Sequence, residues 1–419
     1  MNVTLTPHPI SGHVNIVSSK SLSHRYMICA GLAQGTSHIS NMLLSKDLEA
    51  TKLALENLGV VFEHESITSS NLNPKNKHVH CFESGSTLRF MIPIYMLFHK
   101  PTVFTGEGML PTRPLSVYDD LFKQKHLYFK RLEKDELPIE VKGPLRPGYY
   151  HMRGDVSSQF ISGMLFALPM LKKDSVIELT TPLESKGYID LTMDVLTRFG
   201  IHILYTPPFL YIKGNQTYQP IKGSVEGDYS QAAFFMVAGL LSGDITIGGL
   251  NPLSKQGDMY IVEAIKKMHG KIEYHEMDRM YKISKSETKG TTIDLKDIPD
   301  LGPILMVLAA FSEGQSIFLN CDRLKIKESD RLDAMYQNLK KAGIQVEVTP
   351  YQTVIHGVKD IDGDVTLDGY HDHRIVMALS ILSLKAKKPI TITGSEAIKK
   401  SFPTFFEVLR SIGGMCDES

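Results

Sequence analysis

The chain has 419 residues, 46 basic and 46 acidic side chains, 42% apolar residues and no tryptophan. This balance is that of an ordinary globular protein and excludes a collagen-like or disordered polymer, while the longest apolar runs, such as Phe234 to Leu241, fall well short of a bilayer span. A formally neutral chain is not held to nucleic acid or an anionic membrane by its overall field, so any cationic site has to be concentrated in one place.

At roughly 100 to 200 residues per domain the length predicts two or three domains, each able to bury its own core. Cys29, Cys81, Cys321 and Cys416 form no CxxC pair and no metal-ligand spacing, so reduced thiols are expected and neither a disulfide framework nor a metal site. The start, MNVTLTPHPISGHV, lacks the basic and apolar regions of a signal peptide, and a cytoplasmic location is expected.

Along the chain a polar or small opening, an apolar helical run and a β-branched strand recur six times. Lys20-Ser21 opens a run from Arg25 to Leu32, followed by His38-Ile39-Ser40; Gly85-Ser86 opens Leu88 to Leu97, followed by Thr102-Val103-Phe104. Ser157-Ser158 opens Phe160 to Leu171 before Val176-Ile177-Glu178, and Ser230-Gln231 opens Ala232 to Leu241 before Ile245-Thr246-Ile247. Asp300-Leu301 opens Ile304 to Phe311 before Ile317-Phe318-Leu319, and His373-Arg374 opens Ile375 to Leu384 before Ile390-Thr391-Ile392. The openings at 20, 85, 157, 230, 300 and 373 lie 65, 72, 73, 70 and 73 residues apart. Helices apolar on nearly every face are buried all round. Most units continue with an amphipathic helix closed by a glycine suited to a left-handed cap, at Gly59, Gly200, Gly270, Gly343 and Gly413. The second unit's helix, near Leu121 to Leu127, has no such glycine.

Six such units exceed one core, so an α/β fold of two lobes with three units each is predicted. A one-dimensional solenoid would have chemically bland openings, whereas these carry Lys20, Ser21, Arg25, Arg89, Ser157, Ser158, Gln159, Asp300, His373 and Arg374. Helix N-termini offer free N–H groups and about half a positive charge, so several aimed at one cleft would trap anions.

Taken singly, each motif has a plain alternative. SSKSLSHR (18–25) and IPDLGP (298–303) could be simple helix caps, ESGSTLR (83–89) a tight turn, PTRP (111–114) a surface turn and LKIKESDRL (324–332) a charged helix edge. GDVSSQF (154–160) reads as functional, and its echo GDYSQAAFF (227–235) as structural. His371 and His373 form a His-x-His pair without a third ligand of fitting spacing, so no metal is expected. No Walker lysine pattern occurs, and Gly106-Glu107-Gly108 lacks the third glycine of a dinucleotide fingerprint.

Taken together, Lys20-Ser21-x-x-x-Arg25, Gly85-Ser86, Arg113-Pro114, Ser157-Ser158-Gln159-Phe160, Ser185-x-x-Tyr188-Ile189-Asp190, Pro299-Asp300, Lys327-Glu328-x-Asp330-Arg331-Leu332, Asp372-His373-Arg374 and Lys400-x-Phe402-Pro403 occur in order over essentially the whole chain. As a set they resemble the enolpyruvyl transferase family, in its shikimate 3-phosphate branch. The resemblance implies a two-lobed inside-out α/β barrel of six βαβαββ-type units, one lobe 19–226 and the other discontinuous, 1–18 with 227–419. The active site would lie in the cleft between lobes that close on their ligands.

The implied reaction transfers the carboxyvinyl group of phosphoenolpyruvate to the 5-hydroxyl of shikimate 3-phosphate, by addition and elimination through a tetrahedral ketal. No cofactor, nucleic acid or membrane is implied, and a monomer is expected. Lys20, Gly85, Arg113, Gln159, Arg331, Arg374 and Lys400 would hold phosphoenolpyruvate. Lys20, Ser21, Arg25, Ser157, Ser158, Gln159, Ser185, Tyr188, Asp300 and Lys327 would hold shikimate 3-phosphate. Asp300 is assigned as base, Glu328 as proton donor to the methylene carbon and Lys20 as charge stabiliser. Three positions depart from the family pattern: Glu83 and Arg323 stand where asparagine is usual, and Phe90 where proline is frequent. The competing readings are the family branch acting on UDP-N-acetylglucosamine, expected to show Lys-Asn in place of Lys20-Ser21 and a cysteine before the Arg113 position, and a non-catalytic anion-binding scaffold.

Overall fold

The computed structural model describes all 419 residues. The chain divides into two compact units, Ser19–Val225 and Met1–Ser18 with Glu226–Ser419, each with its own apolar core.

Six four-stranded sheets, three per unit, carry the repeat. The one that starts at His78 shows the plan. Strand His78–His80, helix Gly85–Tyr95 and strand Thr102–Thr105 form a parallel crossover, with His78 opposite Val103. Helix Ser116–Gln124 then leads to a hairpin of Tyr128–Arg131 and Ile139–Lys142, whose second strand runs antiparallel to Thr102–Thr105, with Thr102 opposite Val141. This is a βαβαββ unit, and four of the other sheets have the same order of parallel pair and hairpin, while in the last the antiparallel pair joins the first strand of the chain, Asn2–Thr6, to its final one, Met415–Glu418.

Three sheets borrow a strand from far along the chain. Lys222–Ser224 pairs parallel with Gly35–Ser40, and Gly12–Asn15 pairs parallel with Ile245–Gly248. Asn2–Thr6 lies between Ile390–Thr393 and Met415–Glu418, with Leu5 opposite both Ile390 and Cys416. The first 18 residues are therefore built into the sheets of the 226–419 segment.

The opening helices are buried as their composition demands. Every residue of Tyr229–Leu241 and of Gly302–Ala310 is buried, and these two pack on each other and on His373–Leu382. All six repeat strands read from the sequence fall inside observed strands.

The helix-closing glycines hold in four units, where Gly59, Gly200, Gly343 and Gly413 have φ of 104°, 79°, 86° and 100°. In the fourth unit the left-handed residue is His269 (φ 62°) and not Gly270. Gly270 serves packing instead, because a Cβ there would sit 2.7 Å from Ile265 Cγ2. In the second unit His126 (φ 52°) takes the same role after Ser116–Gln124. No helix is long and apolar enough to cross a membrane.

Candidate functional site

In the unit built from 1–18 and 226–419, the polar openings meet around one carboxylate. Asp300 sits in a 3₁₀ turn, Pro299–Leu301, and the helix that follows has no side-chain cap. The capping reading of Asp300 therefore fails. Its Oδ1 lies 3.1 Å from Lys327 Nζ and 3.0 Å from Arg331 Nη1, and its Oδ2 lies 3.1 Å from Arg374 Nη2.

The charged stretch 325–331 is divided rather than a solvated edge. Lys325 is exposed and pairs with Asp322, whereas Arg331 is 1% exposed. Asp330 caps the helix Arg331–Lys341 by accepting from Asp333 N. The Arg331 guanidinium donates Nε to Asp372 Oδ2 at 2.8 Å and Nη2 to Glu328 Oε2 at 2.5 Å. Asp372, fully buried, also accepts from Ser329 Oγ and caps the helix His373–Leu382 through Arg374 N. Arg374 Nη2 donates in addition to Ser230 Oγ at 3.0 Å, so the GDYSQ echo reaches this cluster.

Charge sets the protonation here. Burial would raise the Asp300 carboxyl, but Arg374, Lys327 and Arg331 outweigh it and hold it well below the usual carboxylate range. Burial pulls the Lys327 ammonium down to about 8, with Asp300 opposing and Arg323 and Arg331 adding repulsion. For Arg331 burial is overcome by Asp372, Glu328 and Asp300, which raise it. Lys400 ends a 3₁₀ turn, Ser395–Lys400, and its Nζ donates to the His371 carbonyl oxygen at 3.0 Å, one residue before Asp372. The two histidines of the His-x-His reading part company: the His371 side chain is 83% exposed and His373 is buried.

The 19–225 unit holds a second set. Ser19 caps the helix Lys20–Leu32, so Lys20 is its first residue, and Lys20 Nζ pairs with Asp47 Oδ2 at 2.9 Å. Arg25, one turn on, donates to Ser21 O, Tyr188 O and Thr192 Oγ1. Burial lowers its guanidinium to about 10, only partly countered by Tyr188 and Cys29. Ser185 occupies the left-handed region (φ 54°) at the head of Lys186–Arg198, which brings the Tyr188 backbone to Arg25.

Ser84 caps Gly85–Tyr95, and the bare Cα of Gly85 lets two guanidiniums come close: a Cβ would lie 2.8 Å from Arg113 Nη1 and 2.9 Å from Arg89 Nη1, so both would have to move. Arg89 Nη1 donates to Gln159 Oε1 at 2.7 Å, and Gln159 Nε2 donates to Ser86 Oγ at 2.9 Å. Ser157 spends its hydroxyl on capping Ser158–Ala167. Gly85, Arg113 and Gln159 are thus brought together, and so are Ser21, Arg25 and Tyr188.

Sequence reasoning missed Asp47, Thr192 and the anchoring parts of Arg89, Asp372 and Ser230. Asp47 looks like any acidic residue in a first helical turn and Thr192 like any mid-helix threonine, so no local signal marks them. Asp372 and Arg89 had one, as polar residues at the heads of all-apolar helices.

Three comparisons bear on this arrangement. The family model for EPSP synthase (3-phosphoshikimate 1-carboxyvinyltransferase) matches residues 5–409. Proteins named 3-phosphoshikimate 1-carboxyvinyltransferase from Clostridium kluyveri and Clostridium acetobutylicum are 46% and 42% identical, over 99% and 98% of this chain and 98% and 97% of theirs. In fold, the chain is similar to the solved EPSP synthase of Acinetobacter baumannii (TM-score 0.82, 24% identity, all of both chains). It is also similar to the enolpyruvyl transferase NikO of Streptomyces tendae (TM-score 0.79, 13% identity, 100% and 98% covered). Matched by that model over nearly its whole length and by relatives more than 40% identical, the chain belongs to the EPSP synthase family.

Proposed function

We infer that this protein transfers the carboxyvinyl group of phosphoenolpyruvate to the 5-hydroxyl of shikimate 3-phosphate, giving 5-enolpyruvylshikimate 3-phosphate and phosphate, a step in aromatic amino acid biosynthesis. Beside the family membership, the observation that carries this reading is the Asp300 carboxylate gripped by Lys327, Arg331 and Arg374. Both substrates bear a phosphate and a carboxylate, and grouped cations with in-plane N–H donors suit such anions. We propose that this set and the Lys20, Arg25, Gly85, Arg113 and Gln159 set act on one pair of substrates.

In the addition step the 5-hydroxyl oxygen bonds to C2 of phosphoenolpyruvate, loses its proton to a base, and the methylene C3 gains a proton. Elimination removes a C3 proton, restores the double bond and expels phosphate. Asp300 is the base in this reading and Glu328 the acid, with Lys20 stabilising charge. Without substrate, three cations make Asp300 too weak a base. Anions bound to Arg331 and Arg374 would neutralise that field and raise the Asp300 carboxyl toward a useful value, so the substrate itself would switch on the base.

The test is phosphate release from the purified protein. It is expected only when shikimate 3-phosphate and phosphoenolpyruvate are both present. Release with UDP-N-acetylglucosamine as acceptor, or none under any condition, overturns the reading. Asp300→Asn and Glu328→Gln are each expected to lower kcat at least a hundredfold. An effect confined to KM would demote them to binding residues.

A further inference from the structure

Arg25 is a buried cation, 3% exposed, whose shell contains no carboxylate. Nε donates to Thr192 Oγ1 at 2.8 Å, Nη1 to the Ser21 carbonyl oxygen at 2.6 Å and Nη2 to the Tyr188 carbonyl oxygen at 3.1 Å. The guanidinium carbon lies 5.3 Å from the centroid of the Phe90 ring. Arg331 and Arg374 contrast with this, being neutralised by Asp300, Glu328 and Asp372.

The difference decides what an incoming anion meets. A guanidinium has five N–H donors in one plane, and three of those of Arg25 are used, leaving one on each Nη. A carboxylate partner would consume in-plane donors and cancel the charge. An aromatic ring does neither, because it meets the cation through its face with a partial negative charge. The ring is itself fixed: Phe90 is 1% exposed, set edge-on to Phe166 (5.4 Å, 71°) and to His24 (6.3 Å, 83°). His24 adds no charge at neutral pH, since burial, then Lys20 and Arg25, keep its pKa well below the usual imidazole value. The helix that carries Phe90 repeats the device one residue earlier, with Arg89 laid over Phe160 at 5.0 Å.

We propose that Phe90 is a positioning residue for shikimate 3-phosphate, its ring holding the plane of the Arg25 guanidinium while leaving the charge and two in-plane N–H groups for an anionic group of the ligand. This rests on the functional reading above, in which Arg25 binds that substrate. Loss of the ring's grip frees the guanidinium plane, and binding then has to order it again.

The experiment replaces Phe90 with 4-fluoro-, 3,5-difluoro- and pentafluorophenylalanine, which weaken the π face in steps at nearly constant shape. Binding of shikimate 3-phosphate is measured by titration calorimetry without phosphoenolpyruvate, and KM for phosphoenolpyruvate at saturating acceptor. The dissociation constant for shikimate 3-phosphate is expected to climb with fluorine content, to roughly five- to thirtyfold for the pentafluoro variant, with KM for phosphoenolpyruvate within about twofold. Phe90→Leu is expected to match the pentafluoro end of the series. A flat series beside tight binding by the unmodified protein, or an equal rise for both substrates, overturns the positioning role alone. Failure of the unmodified protein to bind shikimate 3-phosphate overturns the functional reading, and this inference with it.

Discussion

Lys327 shows how one buried residue ties stability and binding to pH with opposite signs. Its ammonium falls from an ordinary 10.5 to about 8, because burial outweighs the attraction of Asp300. Between those values the unfolded chain binds a proton that the folded chain lacks, so this residue makes stability rise with pH through that window. Between pH 7.5 and 9.5 the gain should be about 2 kcal/mol by urea unfolding, and it should be absent in Lys327→Met. Binding runs the other way, since the cation that would meet an anion is lost above pH 8. The alkaline limb of kcat/KM for shikimate 3-phosphate should bend near pH 8 and move upward in Lys327→Arg. Arg331→Ala would leave Asp300, Glu328 and Asp372 around an empty space, a loss of about 3–5 kcal/mol. Denaturant unfolding that changes by under 1 kcal/mol would contradict that account of the cluster.

Between elements, the contact that aligns the 19–225 site is that of helices Gly85–Tyr95 and Ser158–Ala167. It runs through Gly163, where a Cβ would lie 2.3 Å from the Arg89 carbonyl oxygen and 2.4 Å from the Tyr118 hydroxyl. That hydroxyl donates to the Arg89 and Phe160 carbonyl oxygens, so it ties both helices. Gly163→Ala should push them apart, costing about 1–3 kcal/mol and moving Gln159 off Arg89. A raised KM for phosphoenolpyruvate with a lowered melting temperature is the expected pair of results, and a neutral outcome in both would show that the helices can yield. His269→Gly acts oppositely. Glycine relieves the left-handed backbone strain at φ 62°, and a stabilisation of about 0.5–1 kcal/mol is expected by thermal denaturation.

At the scale of the molecule, the two cores predict two separable folding units. Ser19–Val225 is one continuous stretch with three complete sheets, so expressed alone it should melt cooperatively. The other unit cannot be cut so simply. Removing residues 1–18 strips Gly12–Asn15 from Ile245–Gly248 and opens a gap between Ile390–Thr393 and Met415–Glu418. Loss of soluble protein is the expected outcome, because unpaired edges invite association. Retention of a cooperative transition in that truncated chain would show that the borrowed strands are dispensable.

The sequence by itself determined the repeated elements and the chemistry at their heads. All-apolar helices and β-branched strands follow from which residues can be buried, a local property that six spaced copies made plain. It also marked Asp300, Arg331 and Arg374, since charged residues that open buried helices have few other uses. The tertiary structure decided the partners. That Asp372 sits behind Arg331, that Ser230 reaches Arg374, that Thr192 and Phe90 shape the setting of Arg25 and that His269 replaces a glycine are contacts or backbone choices set by packing. Such contacts join positions up to 167 residues apart. Hydrophobic patterning states which face is buried but not which neighbour is met there, and the neighbours set each carboxylate and guanidinium to its charge.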